Sequence, residues 1–212
     1  RLYFERSCKD RLEKFTNKDP LEQLESFLMI CREHVYSLRL SQLHSHVAFT
    51  FVCNSLVNLT TLQVTYGTHK VGVDLDWTAT TGMNMEDCHS LAKAVQHARM
   101  LTTLALPSNA IDDDMLAVLA EGLSVSSTIT CLDLSHNHIS SKGVISSICP
   151  LIASPTSVIT KLVLSNNMIN DLAADDLSAA LQKSPSMLSI DLSVNTIGAK
   201  LQTIMRGAGI KF

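Results

Sequence analysis

The chain has 212 residues, 46% of them hydrophobic and 17% charged, a balance that builds a packed core and excludes a disordered polymer. Seventeen basic residues stand against 20 acidic ones, for a net charge of −3. The basic residues are scattered, which argues against a nucleic-acid-binding footprint. The longest uncharged run, Leu40 to His69, is crowded with Ser, Thr, Asn, Gln and His, so no lipid-facing helix and no membrane partner are expected. No signal peptide is expected at the N-terminal end. Six cysteines stand at 8, 31, 53, 88, 131 and 149 without C-x-x-C spacing. Free buried thiols in a reducing compartment fit that pattern best, although spacing alone leaves disulfides open.

In chain order, the first signal is Asp19-Pro20-Leu21-Glu22, which reads as a capping box with Asp as N-cap, Pro at N1 and Glu at N3. Leu21, Leu24, Leu28, Cys31 and Val35 then trace a helical stripe. Residues 1–34 are expected to form a helical capping segment, and 35–212 a single repeat domain. Val35-Tyr-Ser-Leu38-Arg-Leu40 and Leu59-Thr-Thr-Leu62-Gln-Val64 read as the first two strands. From Leu62 to Leu104 is 42 residues, longer than the later period, so an irregular insertion is expected near 68–84, on the convex side.

Four clearer copies follow. Leu101-Thr-Thr-Leu104-Ala-Leu106-Pro-Ser-Asn109-Ala-Ile111 sets the form. The stretches Ile129 to Ile139, Ile159 to Ile169 and Met187 to Ile197 repeat it, with Asn137, Asn167 and Asn195 at the same place. The asparagines are 28, 30 and 28 residues apart. This is the leucine-rich repeat pattern L-x-x-L-x-L-x-x-N-x-L. The central L-x-L is a short parallel strand whose leucines point into a shared core. The chain must then turn while buried, and an Asn side chain has both donors and an acceptor for the freed backbone groups. Leaving such groups unpaired costs about 1–3 kcal/mol each.

Helical spacing fills the second half of each unit: Leu91 and Val95, Leu119 and Leu123, Ile148 and Ile152, Leu177 and Leu181. Asp112–Asp114 and Asp171 sit where helix N-termini are expected. A full helix in a unit of this length resembles the ribonuclease-inhibitor type of repeat. The expected fold is therefore an α/β solenoid of six parallel strands, with strands on the concave face and helices on the convex face. Leu201, Ile204 and Met205 are assigned to a last helix. No cap is evident beyond it, so either further chain or a partner is expected to cover that end.

The sharper chemical motifs dissolve into the repeat. His136-Asn137-His138 spells a nuclease motif, but a catalytic pair needs a carboxylate, a metal and a ββα frame. The repeat accounts for the Asn without them. His44 and His46 could chelate a metal, yet no third ligand is in view. Cys88 has no base placed beside it by sequence. Ser135 and Ser193, with Asp133 and Asp191 two residues before each, recur as scaffold rather than as one active centre. No glycine spacing matches a phosphate loop. No catalytic residue, cofactor, metal or small-molecule substrate is expected. Trp77, inside the insertion, is equally suited to anchoring a partner and to holding down its own loop.

Thr65-Tyr66-Gly67, Val71-Gly72-Val73-Asp74-Leu75-Asp76-Trp77 and Asp87-Cys88-His89-Ser90-Leu91-Ala92-Lys93-Ala94 resemble the corresponding stretch of the dynein regulatory complex subunit 5 family, also called T-complex-associated testis-expressed protein 1. Tyr3-Phe4-Glu5-Arg6 and Leu12-Glu13-Lys14-Phe15 are similar to its pre-repeat segment. The resemblance implies a non-catalytic scaffold subunit of the nexin–dynein regulatory complex. Such a subunit helps to link doublet microtubules in the axoneme of cilia and flagella and to regulate dynein. It implies a cytoskeletal location, with other subunits of that complex and doublet-associated proteins as partners. Because deviations from a repeat tend to carry added function, Tyr66, Trp77, Lys70, Tyr3 and Phe4 are the candidate partner contacts. Asn109, Asn137, Asn167 and Asn195 are the structural ladder. The other classes considered are a leucine-rich repeat GTPase-activating protein and a ubiquitin-ligase adaptor. The first would need a basic residue in an early loop and an acidic tail, the second an F-box helix pair, and none of these is spelled here.

Overall fold

A computed structural model describes residues 2–14, 21–43, 46–66, 82–199 and 202–203. Among the described residues, six parallel strands pair strictly in chain order: β1 (Ser37–Leu43), β2 (Thr61–Tyr66), β3 (Thr103–Ala105), β4 (Cys131–Asp133), β5 (Lys161–Val163) and β6 (Ser189–Asp191). Leu38, Leu62, Leu104, Leu132, Leu162 and Ile190 are in register across the sheet and almost fully buried. Helical segments connect the strands, as parallel pairing demands of its crossovers. The chain is thus an α/β leucine-rich repeat fold, as the spacing predicts. The helices are α1 (Leu2–Lys14), α2 (Leu21–Cys31), α3 (Phe49–Ser55), α4 (Met85–His97), α5 (Asp113–Ser124), α6 (Ser141–Gly143), α7 (Cys149–Ala153) and α8 (Ala174–Lys183). Leu91, Val95, Leu119, Leu123, Ile148, Ile152 and Leu177 are buried on the sheet-facing side, and Leu181 packs against them partly exposed.

The 30-residue unit shows how the extra length is absorbed. Ile148 lies eleven positions after Asn137, where Leu119 lies ten after Asn109. Between α6 and α7 the backbone forms a π turn, Val144–Ile148, closed by Cys149 N–H donating to the Val144 carbonyl. One added residue is taken up there, and the buried face is kept in phase. Pro150 follows in the first turn of α7, where a missing N–H costs least.

Each of β2 to β6 starts with the same bond. Two consecutive N–H groups donate to one carbonyl of the preceding strand: Thr60 and Thr61 to Tyr36, Thr102 and Thr103 to Thr60, Thr130 and Cys131 to Thr102, Thr160 and Lys161 to Thr130, Leu188 and Ser189 to Thr160. The hydroxyls of Thr60, Thr102, Thr130 and Thr160 add a third donor to the same oxygens.

Among the described residues no strand pairs with the other side of β1, and α1 supplies the acceptor instead. Tyr36 N–H and Ser37 N–H both donate to Glu5 Oε1, at 3.3 and 3.0 Å. A carboxylate oxygen thus occupies the role of the missing carbonyl. Glu13, two helical turns on, accepts from Ser41 N–H at 2.6 Å and is held by Lys9 at 2.9 Å. An open sheet edge is a template for unwanted pairing, and α1 closes it. Meanwhile α2 buries Leu24, Leu28 and Cys31 and packs against α1 and α3. The capping residues Asp19 and Pro20 lie outside the described residues, as do Leu201, Ile204 and Met205.

After each of β3 to β6 the backbone passes through a left-handed residue two positions beyond the second core leucine: Ser108 (φ 57°), His136 (57°), Asn166 (54°) and Val194 (57°), with Ala110 (56°) a second one in the first of these turns. The N–H at this position continues the ladder, from Ser108 to the Ser135 carbonyl, His136 to Ser165 and Asn166 to Ser193. A β-branched side chain is poorly suited to this conformation.

Two outcomes test this reading. Glu5→Ala leaves two N–H groups without an acceptor and should lower the unfolding free energy by about 2–3 kcal/mol, whereas Glu5→Gln, which keeps the oxygen, should cost under about 1 kcal/mol; urea titration separates them. Val194→Asn, matching Asn166 in the repeat before, should stabilise by about 1 kcal/mol in the same assay.

Candidate partner-binding corner

The asparagines form a continuous ladder in which each side chain serves the repeat before it. Asn137 Oδ1 accepts from Asn109 N–H at 3.0 Å and Ile111 N–H at 3.1 Å, while its Nδ2 donates to the carbonyls of Leu106, Leu134 and Ser135. Asn195 Oδ1 accepts from Asn167 N–H and Ile169 N–H. Asn167 accepts from Ile139 N–H and donates to Leu134 and Leu164. A second ladder runs one turn further on. The side chain four positions after the ladder asparagine accepts from an N–H of the next repeat: Asp113 from Ser140, Ser141 from Asn170, Asp171 from Gly198.

Asn109 differs from its successors, because the repeat before it carries the insertion. Its Oδ1 accepts from Tyr66 N–H at 3.1 Å and its Nδ2 donates to the Val64 carbonyl at 2.8 Å. Its own carbonyl accepts from Met83 N–H at 3.0 Å. The two ends of the insertion therefore meet on one residue. Gly82 makes the return possible: it has φ +122°, and a Cβ there would lie 2.5 Å from the Asn109 oxygen. The described residues that flank the insertion, Tyr66 and Gly82 with Met83, thus both reach Asn109, while most of the insertion expected near 68–84 lies outside the described residues. Helix α4 then starts at full length, capped reciprocally by Asn84 and Asp87.

A polar clasp braces this corner. Asp87, 3% exposed, accepts from Asn84 N–H at 3.0 Å and lies 2.7 Å from His46 Nδ1. The other ring nitrogen of His46 is 3.3 Å from Asn84 Nδ2. One tautomer satisfies both contacts, with Nδ1 donating to Asp87 and Nε2 accepting from Asn84. Both His46 nitrogens are thus engaged within the protein. The Tyr66 ring sits 5.6 Å from the His46 ring. Burial first, then the Asp87 charge, push the Tyr66 phenol well up, and its hydroxyl has no hydrogen-bond partner of good geometry among the described residues.

The candidate contacts separate accordingly. Tyr66, one of the candidate partner contacts, is only 9% exposed and forms a wall of the clasp, turned inward by strand alternation. Trp77, Lys70 and His44 lie outside the described residues. Tyr3 is 76% exposed, and Phe4 stacks on His34 at 4.6 Å. His136 and His138 are exposed beside the ladder, and His136 accepts from Asn166 Nδ2. Among the described residues, no three His, Cys, Asp or Glu side chains are placed to hold a metal ion. Burial, with smaller additions from Asp87 and Asp112, pushes the Cys88 thiol up to about 12, unsuited to nucleophilic work. Sequence reasoning missed Glu5, Glu13 and the Asp87–His46 pair. The eight-residue spacing of the two glutamates, which shares one helix face, was the available signal.

The ladder gives a graded prediction. Asn137→Ala strands two buried donors and the carbonyls above them and should cost more than about 3 kcal/mol, while Asn195→Ala, in a partly exposed turn, should cost about half as much; chemical denaturation of both variants reads the difference.

Comparison with known proteins follows this geometry. The family described as Leucine Rich repeat matches residues 125–146, which span β4 and the Asn137 turn. Dynein regulatory complex subunit 5 of Chlamydomonas reinhardtii is 36% identical over 118 residues, covering 53% of this chain and 29% of the relative. The mouse protein of the same name is 24% identical over 173 residues, covering 68% and 34%. The chain therefore spans about a third of the length of these curated relatives. Among solved structures, Leiomodin-1 Actin-Binding Site 2 superposes with a TM-score of 0.50 at 22% identity, covering 60% of this chain and 70% of that one, a likeness of fold alone. The chain has a leucine-rich repeat fold and is similar in sequence to proteins named Dynein regulatory complex subunit 5.

Proposed function

We propose that this chain is the repeat portion of a non-catalytic scaffold subunit of the axonemal nexin–dynein regulatory complex. In that role it helps to link doublet microtubules and to regulate dynein-driven motility of cilia and flagella. The observation that carries the reading is its similarity to dynein regulatory complex subunit 5 from an alga and from mammals. The physical character of the chain supports it. A stack of repeats presents an extended surface set by its frame, and burial pushes the thiols of all six cysteines up. Residues 1–34 serve as the N-terminal cap and 35–212 as the repeat domain. Other subunits of the complex and doublet-associated proteins are the partners. The exposed Tyr3 with Phe4 beside it, together with Trp77 and Lys70 in the insertion, are the contacts we assign to them.

Crosslinking mass spectrometry of intact axonemes tests this. Lys93 is exposed on α4, and links from it or from Lys70 to other regulatory-complex subunits are expected. The protein should also be depleted from axonemes that lack another subunit of the complex. Recovery as a soluble cytosolic protein without such links, or stimulation of GTP hydrolysis by the purified chain, would overturn the reading.

A further inference from the structure

The clasp at the start of α4 is complete in only one protonation state of His46. Asn84 Oδ1 accepts from Asp87 N–H at 2.8 Å. This is the N-cap bond of α4, and it fixes which way the amide points. Asn84 Nδ2 is thereby left facing His46 Nε2 at 3.3 Å, and an amide NH2 can only donate. The other ring nitrogen, Nδ1, lies 2.7 Å from the Asp87 carboxylate. That carboxylate is buried, while the His46 side chain is 44% exposed and open to protons from solvent. We propose that His46 is a proton-operated latch: the neutral ring holds the N-cap of α4 closed, and the protonated ring opens it.

Bond strengths decide which group yields. When an imidazole gains its second proton, both ring nitrogens become donors. His46 Nε2–H then meets Asn84 Nδ2 donor to donor. The ring stays where it is, because its contact with Asp87 becomes an ion pair on a buried carboxylate. The amide turns over instead. Its Oδ1 now accepts from Nε2–H in a charge-assisted bond, roughly twice as strong as the neutral cap bond it replaces. Asp87 N–H is left facing Nδ2, without an acceptor. The other groups at the ring do not titrate with it. Tyr66 faces it from β2, with ring centroids 5.6 Å apart; burial first, then the Asp87 charge, hold its phenol far above the usual range. Cys88, next to Asp87 on α4, is pushed up to about 12, chiefly by burial. Among the described residues, Asp87 is the charge in contact with the ring. Asp87 keeps its bond from Asn84 N–H at 3.0 Å, so α4 loses one half of its reciprocal cap and its first turn loosens. Met83 N–H, which ties the adjoining chain to the Asn109 carbonyl, loosens with it. The latch rests on this geometry alone and needs no axonemal assignment; it belongs to the class of histidine switches that act by local protonation.

Amide hydrogen exchange of the full chain, corrected for the intrinsic effect of pH on exchange, tests the latch when read beside NMR of the His46 ring. Between about pH 8 and about pH 5, protection at Asp87 N–H should fall about fivefold, as for a lost N-cap, in step with protonation of the ring. A smaller fall is expected at Met83. Met115 N–H, held by the Asp112 cap of α5 at 2.9 Å, should not change. His46→Gln should make the Asp87 profile flat. Asn84→Asp should also keep its protection on acidification, because one carboxylate oxygen still caps Asp87 N–H while the other accepts from Nε2–H. Steady protection at Asp87 while the ring protonates, a ring that keeps one protonation state across the whole range, or a fall that survives either substitution would overturn the proposal.

Discussion

A strand that is buried on one face has to turn without leaving its amides and carbonyls unpaired, and the ladder asparagine solves this for each repeat. It does so with a displaced logic: Asn137 satisfies the turn that Asn109 begins, and Asn195 the turn of Asn167. No repeat completes its own corner. The strand starts obey the same rule in reverse, since each pair of N–H groups needs the carbonyl of the repeat before. Every unit is therefore borrowed from on one side and borrows on the other, so the stack is stable only as a stack.

The two ends of such an array are its chemical problem, and the N-terminal end shows how it is handled. Glu5 gives β1 the two-donor acceptor that a preceding strand would have given. A helix can cover apolar surface easily, but it cannot pair with a strand edge, because its own carbonyls are already committed. A carboxylate carried on the helix side chain solves this, and the charge strengthens the bond. The insertion poses the same problem inside the array. Where the second repeat gives up its regular turn, Asn109 accepts from Tyr66 and Met83 together, so the irregular segment is tied at both ends to a residue that is itself locked into the next repeat.

What was legible in the sequence was whatever recurs. The asparagines, the strand leucines and the i, i+4 helix pairs are each written several times, so period and burial pattern alone place them. Features written once were not legible. Glu5 and Glu13 look like surface charges of an amphipathic helix, and only the arrival of β1 beside them gives them a partner. The Asp87–His46 pair joins residues 41 positions apart, and no local pattern announces it. The π turn could have been inferred from the 30-residue spacing, but whether an extra residue bulges a helix or lengthens a loop is a packing decision. Strand alternation from Leu62 and Val64 points Tyr66 inward, although the irregular sequence after it hides that pattern.

This distribution bears on how such a protein can acquire partners. Ladder positions are unavailable for change, since each carries its neighbour's hydrogen bonds. The corners that differ are those where local bracing substitutes for the ladder: the Glu5 helix at one end, and the Asp87–His46–Asn84 clasp at the start of α4. Both keep backbone groups paired through side chains where the repeat pattern stops. Specificity in a repeat protein of this kind is then expected to reside in braced exceptions, and the rigidity that positions them comes from the repeats that say nothing about the partner.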